Sequence, residues 1–355
     1  MVIGRQALPF GKRNRLWARF SLLMAIEAQP HQISAVIPVY RVAEQLVGLL
    51  DELDELSAPR FTPKRRPYVV SETVVVFDGE SVESAQALRS LLEGRKRVRA
   101  VWLSRNFGQH PATLAGMSAS SGEWIVTLDE DGQFPANEIA SLLDHALDAK
   151  SPVVYGQPST SSPHPLWRRA GSWFARSLFR LLVGRKDWAR FSSFRLILGE
   201  VGRGVSAYCT NETYLDVALT WVSPRSSSIE VRYEVEPSAS GYRLSGLLGH
   251  LVRMLLSMGT RPMRIFAAIG AGAAFMGFLL SLLLVYRRLV MGFPVGFAST
   301  LTVLLLLSGV ILLSLAVLSE YVGLIVKSAT GRPLYVAVAD PTQSALFRDF
   351  SNPGS

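Results

Sequence analysis

Two aspartates one residue apart are the clearest chemistry-bearing feature of the sequence. Asp129 and Asp131 follow the apolar run Trp124–Leu128. If the chain stays extended there, side-chain alternation directs both carboxylates to one side while Glu130 faces elsewhere. Carboxylate oxygens suit hard divalent cations, which can bridge a diphosphate and neutralise the charge that develops on it as it leaves. The spacing predicts a metal and diphosphate site, with an ordinary polar turn as the alternative.

Strand and helix patterns precede the aspartates and predict how they are positioned. Ile33 to Tyr40 is a β-branched run, and a helical pattern with its leucines on one face follows at Glu44–Leu56. The order recurs with strands at Glu72–Phe77 and Val98–Leu103, helices at Ser84–Leu92 and Pro111–Ser118, and a fourth strand at Trp124–Leu128. This alternation predicts an α/β domain with a mainly parallel sheet.

The residues whose types best suit ligand binding or catalysis fall at the carboxyl ends of these strands. They are Pro38, Asp78, Ser104 and Asp129. Ligands of open α/β sheets bind beyond the carboxyl ends of the strands. We therefore expect these side chains to converge on one site.

The carboxyl-terminal part of the chain predicts a membrane anchor. Hydrophobic residues make up 49% of the 355 residues and concentrate after Pro262. Between 263 and 286 the only charge is Arg264, and 297–318 has none. Each stretch is long enough for a helix across a hydrocarbon core of roughly 30 Å. The pattern predicts a transmembrane hairpin over 263–326, with a pair of buried core helices as the alternative.

Basic residues beside the apolar stretches indicate the orientation of the hairpin. Arg253, Arg261 and Arg264 precede it, and Lys327 and Arg332 follow it, against Arg287 and Arg288 in its loop. This predicts a multi-pass membrane protein with both termini, and therefore the α/β domain, in the cytoplasm. The expected organisation is a basic tail at 1–31, a catalytic domain at 32–243, the hairpin, and a cytoplasmic tail at 327–355.

Two further segments mix basic and apolar residues at helical spacing. They lie at about 166–183 and at 244–262, and the first carries Trp173 among several arginines. Such patterns predict interfacial helices on a membrane, with ordinary amphipathic surface helices as the alternative.

The charge and the cysteine content narrow the classes of partner. The net charge is +9, but the arginines cluster beside apolar helices and no nucleic-acid motif occurs, so anionic lipid is the expected partner and not nucleic acid. Cys209 is the single cysteine, which excludes an internal disulfide and a cysteine-built metal site. The sequence leaves open the number of copies, including a homo-oligomer.

Six segments in a fixed order carry a family resemblance that spans nearly all of Ile33–Tyr335. They are IPVY at Ile37, SRNFG at Ser104, AGMSASSGEWIVTLDEDGQFP from Ala115, SSFRL at Ser192, SGY at Ser240 and GRPLY at Gly331. The chain thereby resembles the family 2 glycosyltransferases of the GT-A fold, in the branch of dolichol-phosphate mannose synthase and the bacterial undecaprenyl-phosphate sugar transferases. A Gln-x-x-Arg-Trp segment, expected of a processive synthase, is absent, which favours single transfer.

The resemblance implies an activity and assigns its residues. The activity is inverting transfer of one sugar from a nucleotide diphosphate sugar to the phosphate of an undecaprenyl or dolichyl type of lipid. Mg²⁺ or Mn²⁺ is assigned to Asp129, Asp131 and Gln133. The nucleotide sugar is assigned to Pro38, Tyr40, Asp78, Gly79, Ser104, Asp129 and Glu130. Catalysis is assigned to Asp131, Arg195, Arg168 and Ser172.

The acceptor phosphate is assigned by the same resemblance to Arg168 and Ser172, which are four residues apart and share one face of a helix. Arg168 as a snorkelling interfacial arginine is the alternative. A phosphate monoester has a second pKa of about 6, so this nucleophile is already anionic and needs no strong general base.

Two departures from the family pattern fall at the nucleoside end of the site, and a third follows the Asn-Phe-Gly segment. Arg41 and Val42 stand where the family has Asn-Glu, and Phe77 and Glu80 replace the first and last residues of Asp-Asp-Gly-Ser. Gln109 and His110 replace a Lys-Glu or similar pair. Two other functions therefore stay open: a catalytically weakened homologue serving as a membrane scaffold or lipid-binding partner, and a small transporter or flippase, which only the two apolar stretches support.

Overall fold

The structure, a computed structural model, describes residues 29–159, 191–209, 214–223, 225–234, 296–329 and 333–341, with parts of 270–290. Several predictions concern residues outside these ranges. They are most of the basic tail 1–31, the interfacial helices at about 166–183 and 244–262, and the acceptor residues Arg168 and Ser172.

One mixed sheet forms the centre of the described part of the chain. Its strands are β1 His31–Val39, β2 Arg60–Phe61, β3 Pro67–Phe77, β4 Val98–Leu103, β5 Trp124–Thr127, β6 Val153–Pro158, β7 Arg195–Leu198, β8 Ser226–Val231 and β9 Ala337–Val338. Their order is β8-β6-β7-β5-β1-β3-β4-β9, and β2 pairs with β3. The prediction of an α/β domain with a mainly parallel sheet is confirmed, because β5, β1, β3 and β4 run parallel at its middle.

The remaining strands turn part of the sheet antiparallel. β7 pairs antiparallel with both β5 and β6, and β6 pairs parallel with β8. Arg195 begins β7 directly opposite Thr127 at the end of β5. This reversal brings the predicted Phe-Arg-Leu segment to the end of the strand that leads into the two aspartates.

Helices cover both faces of the sheet. They are α1 Glu44–Glu55, α2 Val82–Leu92, α3 Gln109–Ala119, α4 Ile139–Ala149, α5 Gly199–Tyr208, α6 Leu215–Val222 and α7 Phe297–Ala329. Successive residues of β1 point to opposite faces. Ile37 packs in one apolar core with Leu50 of α1, and Val36 packs in the other with Leu114 of α3. The β-branched run therefore builds two cores at once.

The carboxyl-terminal segment returns to the sheet. The sequence assigned 327–355 to a cytoplasmic tail, but β9 pairs antiparallel with β4 through Ala337 and Leu103. A free strand edge exposes unpaired N–H and C=O groups, and this added strand covers part of the β4 edge. A strand of two residues is too short to show a hydrophobic period, so no local pattern predicts β9.

The predicted hairpin is described only in part. α7 covers the second apolar stretch and continues to Ala329, beyond the predicted end at 318. Among the described residues, no helix combines the length and the apolar character needed to cross a membrane. The hairpin at 263–326 stays a prediction.

Candidate active site

A cavity of about 460 Å³ opens at the carboxyl ends of the central parallel strands. It is lined by Pro38, Val39, Tyr40, Asp78, Asn106, Gly108, Gln109, Asp129, Glu130 and Asp131. Parallel strands end at one edge of a sheet, so the loops that follow β1, β3, β4 and β5 meet there. Six of the predicted site residues line this cavity: Pro38, Tyr40, Asp78, Asp129, Glu130 and Asp131.

The two aspartates lie close enough to influence each other. Asp129 is half-buried and Asp131 is exposed. Burial raises the pKa of Asp129, the Ser193 side chain lowers it by a hydrogen bond, and the negative charge of Asp131 raises it again. A cation between two such carboxylates would relieve their repulsion.

The predicted metal ligands lie in the segment Asp129–Gln133, called the acidic turn below, and all of them offer oxygen atoms. No cluster of three or more His, Cys, Asp or Glu side chains suited to a metal occurs in the described part of the chain. The predicted ligands are instead two carboxylates and the amide oxygen of Gln133. Oxygen ligands of this kind fit Mg²⁺ or Mn²⁺, which accept carboxylates, carbonyls and water together.

Gln133 accepts hydrogen bonds from two residues that lie about 100 positions later in the sequence. The Tyr233 hydroxyl donates a hydrogen bond to Gln133 Oε1, and the Glu234 amide donates to the Gln133 carbonyl at 2.9 Å. The Tyr233 ring packs against Phe134 with ring centroids 5.0 Å apart. The segment after β8 therefore fixes the far side of the acidic turn.

Glu130 ties the acidic turn to the end of β1. Its Oε2 accepts the Tyr40 amide at 2.9 Å, and the Arg41 amide also bonds to this carboxylate. Burial raises the pKa of Glu130, while these two backbone bonds lower it. Residues 130 and 131 form a turn and not an extended segment, and Glu130 lines the same cavity as its two neighbours.

Asp78 holds the loop that follows β4. Its two oxygens accept the amides of Phe107 and Gly108, each at 2.7 Å, and the side chain is only 4% exposed. Burial raises the pKa of Asp78, and the two backbone bonds oppose that rise. Gly108 adopts a φ of +97°, which favours glycine. The loop that presents Asn106 and Gly108 to the cavity is thus fixed by one carboxylate.

Gly79 lies where two strand ends come together. A Cβ atom there would meet the Tyr40 carbonyl oxygen at 2.7 Å and the Phe77 ring at 2.5 Å. Any side chain at this position would push the end of β1 away from β3. Gly79 therefore shapes the cavity wall without lining it.

Ser104 and Arg195 do not line the cavity. Ser104 is exposed, and its amide donates to the Val336 carbonyl at 3.0 Å beside β9. Arg195 is 4% exposed, forms an ion pair with Asp216, and donates through Nε to Thr127 Oγ1 at 3.1 Å. The positive charge of Arg195 lowers the pKa of Asp129, so the two lie near each other. A direct contact of Arg195 with the reacting groups stays a prediction.

Several residues at the site were not predicted from the sequence to be site residues. Asn106, Gly108 and Gln109 line the cavity, and Tyr233 binds Gln133. The loop residues follow a strand end, which is a signal that could have found them. Tyr233 has no such signal, because its partner is 100 residues away.

The chain is similar in sequence to known proteins. The family model described as Glycosyl transferase family 2 matches residues 34–201. The undecaprenyl-phosphate 4-deoxy-4-formamido-L-arabinose transferase of Serratia proteamaculans (strain 568) is 31% identical over 316 residues, which cover 86% of this chain and 92% of the relative. The SfII prophage-derived bactoprenol glucosyl transferase of Shigella flexneri is 28% identical over 307 residues, which cover 86% of this chain and 97% of that protein.

Solved structures are more distant. The glucosyl-3-phosphoglycerate synthase of Mycobacterium tuberculosis, crystallised with Mn²⁺, UDP-glucose and phosphoglyceric acid, has a TM-score of 0.46 and 15% sequence identity. The match covers 73% of this chain and 85% of that chain.

Proposed function

The chain belongs to glycosyl transferase family 2, and we propose that it transfers one sugar from a nucleotide diphosphate sugar to the phosphate of a polyprenyl lipid. The observation that carries the proposal is the cavity at the strand ends, where Asp129 and Asp131 meet the loops after β1, β3 and β4. Its volume of about 460 Å³ lies within the range of small-ligand sites. The relatives named above act on undecaprenyl phosphate or bactoprenol, which supports a polyprenyl phosphate as acceptor.

The chemistry is a direct displacement at the anomeric carbon of the sugar. An oxygen of the lipid phosphate forms the new bond, and the bond to the nucleoside diphosphate breaks with its electron pair on the β-phosphate oxygen. Attack opposite the leaving group inverts the anomeric centre. Because the acceptor is already an anion at neutral pH, positioning and charge stabilisation carry the reaction.

The protein's residues divide that work between them. Asp129, Asp131 and Gln133 would hold Mg²⁺ or Mn²⁺, which when bound neutralises charge on the diphosphate. Asp78 and Gly79 shape the nucleoside end of the cavity, together with Pro38 and Tyr40. Arg168 and Ser172 bind the acceptor phosphate. Arg195 supports the acidic turn through its hydrogen bond to Thr127, at the end of β5.

We also propose that the protein is anchored in the cell (inner) membrane with its catalytic domain in the cytoplasm. Three adjacent side chains of α7, Ile311, Leu312 and Leu313, are all more than half exposed, Leu312 at 66%. Apolar surface on consecutive residues of a helix is costly in water and stable in lipid. A membrane around α7 would also bring the acceptor lipid to the catalytic domain.

A transfer assay tests the function. Radiolabelled sugar is followed from a panel of nucleotide sugars to undecaprenyl phosphate in the presence of Mg²⁺ or Mn²⁺. We expect product from at least one donor with the wild type, and about 100-fold less with Asp131→Asn, the scale expected when charge stabilisation is lost. Asp51→Asn, an exposed carboxylate on α1 that pairs with Arg95, is the matched control.

Two results would contradict the proposal. One is a wild type that transfers nothing across the panel, and the other is an Asp131→Asn variant as active as the wild type. A wild type that neither transfers sugar nor binds a nucleoside diphosphate in the presence of metal would instead favour a scaffold or lipid-binding partner.

A further inference from the structure

Two neutral side chains outside the predicted site each donate one hydrogen bond to a predicted metal ligand. Gln109, the first residue of α3, places its Nε2 atom 2.5 Å from Asp129 Oδ1. Tyr233, two residues after β8, donates its hydroxyl to Gln133 Oε1. These donors come from opposite sides of the acidic turn and from distant parts of the sequence.

The hydrogen bonds limit how the two ligands can turn. A carboxylate on a short side chain rotates freely unless one oxygen is held. Oδ1 of Asp129 accepts from Gln109, and the carboxylate also has a hydrogen bond to the Ser193 side chain, so Gln109 shares in holding its orientation. The Tyr233 bond likewise identifies Oε1 as the acceptor atom of the Gln133 amide, and that oxygen keeps a second lone pair.

The kind of donor matters as much as its position. An amide N–H and a phenol O–H orient the oxygen and leave its charge available. Partners of this kind fix ligand orientation in metal sites, and their loss typically costs about 10–100-fold in metal affinity.

We propose that Gln109 and Tyr233 are positioning residues that hold Asp129 and Gln133 in the arrangement needed for a divalent cation. The inference rests on the metal site of the proposed function. Neither residue contacts the cation itself. Each acts through the ligand to which it donates.

Two substitutions remove the donors with little change of shape. Tyr233→Phe keeps the ring against Phe134 and removes only the hydroxyl. Gln109→Met keeps the side-chain length and removes the amide. Tyr68→Phe, at the amino end of β3, and Gln32→Met, near the amino end of β1, are the matched controls. Both controls lie at the opposite edge of the sheet from the cavity.

The readout is binding of Mn²⁺ alone to the purified full-length protein, measured from the free-ion signal in electron paramagnetic resonance. Tyr233→Phe and Gln109→Met are each expected to raise the Kd for Mn²⁺ about tenfold. The two controls are expected to bind as the wild type does. Thermal unfolding without metal checks that all four variants are folded.

A second measurement separates positioning from substrate contact. In the transfer assay we expect the Mn²⁺ concentration for half-maximal rate to rise in both variants, while kcat at saturating Mn²⁺ stays near the wild-type value. If Gln109 instead contacted the nucleotide sugar, its variant would bind Mn²⁺ normally and show a higher KM for the donor. That result would overturn the inference for Gln109.

The failure of this inference differs from a failure of the proposed function. Variants that bind Mn²⁺ as tightly as the wild type would overturn the positioning roles and leave transfer intact. A wild type that transfers sugar without binding Mn²⁺ would also overturn the inference, while the transfer itself would stand.

Discussion

The Arg195 side chain is almost completely buried, and its charge is paired with that of Asp216. Burying a charge is expensive unless it is paired, so removing one partner leaves an uncompensated ion in the core. The same arginine donates to Thr127, the last residue of β5. The pair therefore supports the backbone from which Asp129 and Asp131 project.

Arg195→Met should destabilise the protein by about 3–5 kcal/mol, because Asp216 would remain charged and buried. The double variant Arg195→Met/Asp216→Leu should recover most of that loss, since no lone charge remains. Thermal unfolding in detergent measures both changes. A single variant as stable as the wild type would contradict this role of the pair.

The double variant also tests whether Arg195 takes part in the reaction. If Arg195 only supports the turn, transfer should return together with stability. If Arg195 contacts the reactants, the double variant should be stable and inactive. Sugar transfer at saturating donor and acceptor distinguishes these outcomes.

At the scale of elements, Glu72 joins the amino ends of several strands. It lies in β3 and accepts hydrogen bonds from Ser34 of β1, from Arg99 of β4, and from Ser121 before β5, at 2.6–2.9 Å. Burial raises the pKa of Glu72, but these hydrogen bonds outweigh it and the net pKa lies below the usual 4.5. One carboxylate thus connects four segments at the edge opposite the cavity.

The stabilisation by Glu72 should depend on pH. Because its folded pKa lies below 4.5, its contribution is complete above that pH and disappears as the pH falls through the folded value. Glu72→Gln should cost about 1.5–3 kcal/mol at pH 7, the usual contribution of a hydrogen bond to a charged group. The difference from the wild type should shrink below pH 4.5. Thermal unfolding between pH 7 and pH 3.5 would show it, and a constant difference would contradict the argument.

The pairing of β9 with β4 supports the loop that carries Asn106. The Ser104 amide, at the start of this loop, donates to Val336 just before β9. Asp78 holds the other end of the loop through Phe107 and Gly108. The loop is therefore anchored at both ends by different elements.

Val338→Pro should weaken the first of these anchors, because the Val338 amide faces β4 in this register and proline lacks the N–H group. We expect faster hydrogen exchange in residues 102–108 and weaker binding of nucleoside diphosphate. Val338→Ala, which keeps the backbone donor, is the control. Unchanged exchange in the proline variant would show that β9 does not support the loop.

The sequence predicted those elements whose residues carry a local pattern. The strand at Val98–Leu103 matches its prediction, and α3 begins at Gln109, two residues earlier than expected. The position of β7 between β5 and β6 could not be predicted, since antiparallel pairing between distant segments leaves no periodic signal. Likewise, the acidic turn was visible as a motif, but Gln109 and Tyr233 became part of it only through the fold.

At the scale of the whole molecule, the predicted orientation in the membrane can be tested by labelling. In a Cys209→Ser background, Gly292→Cys in the hairpin loop should react with an impermeant maleimide on intact cells. Ser351→Cys near the carboxyl terminus should react only after the cells are opened, because both termini are expected in the cytoplasm. The reverse pattern would contradict the predicted orientation.

The return of the chain from α7 to β9 limits how far the catalytic domain can lie from the end of α7. Eight peptide steps separate Ala329, where α7 ends, from Ala337, where β9 begins. Even fully extended, they span at most about 28 Å. If α7 lies in the bilayer, this short connection keeps β9, and with it the loop after β4 that carries Asn106, within reach of the lipid headgroups. A water-soluble sugar donor and a lipid acceptor that stays in the membrane could then meet at one site while the protein remains bound to the membrane.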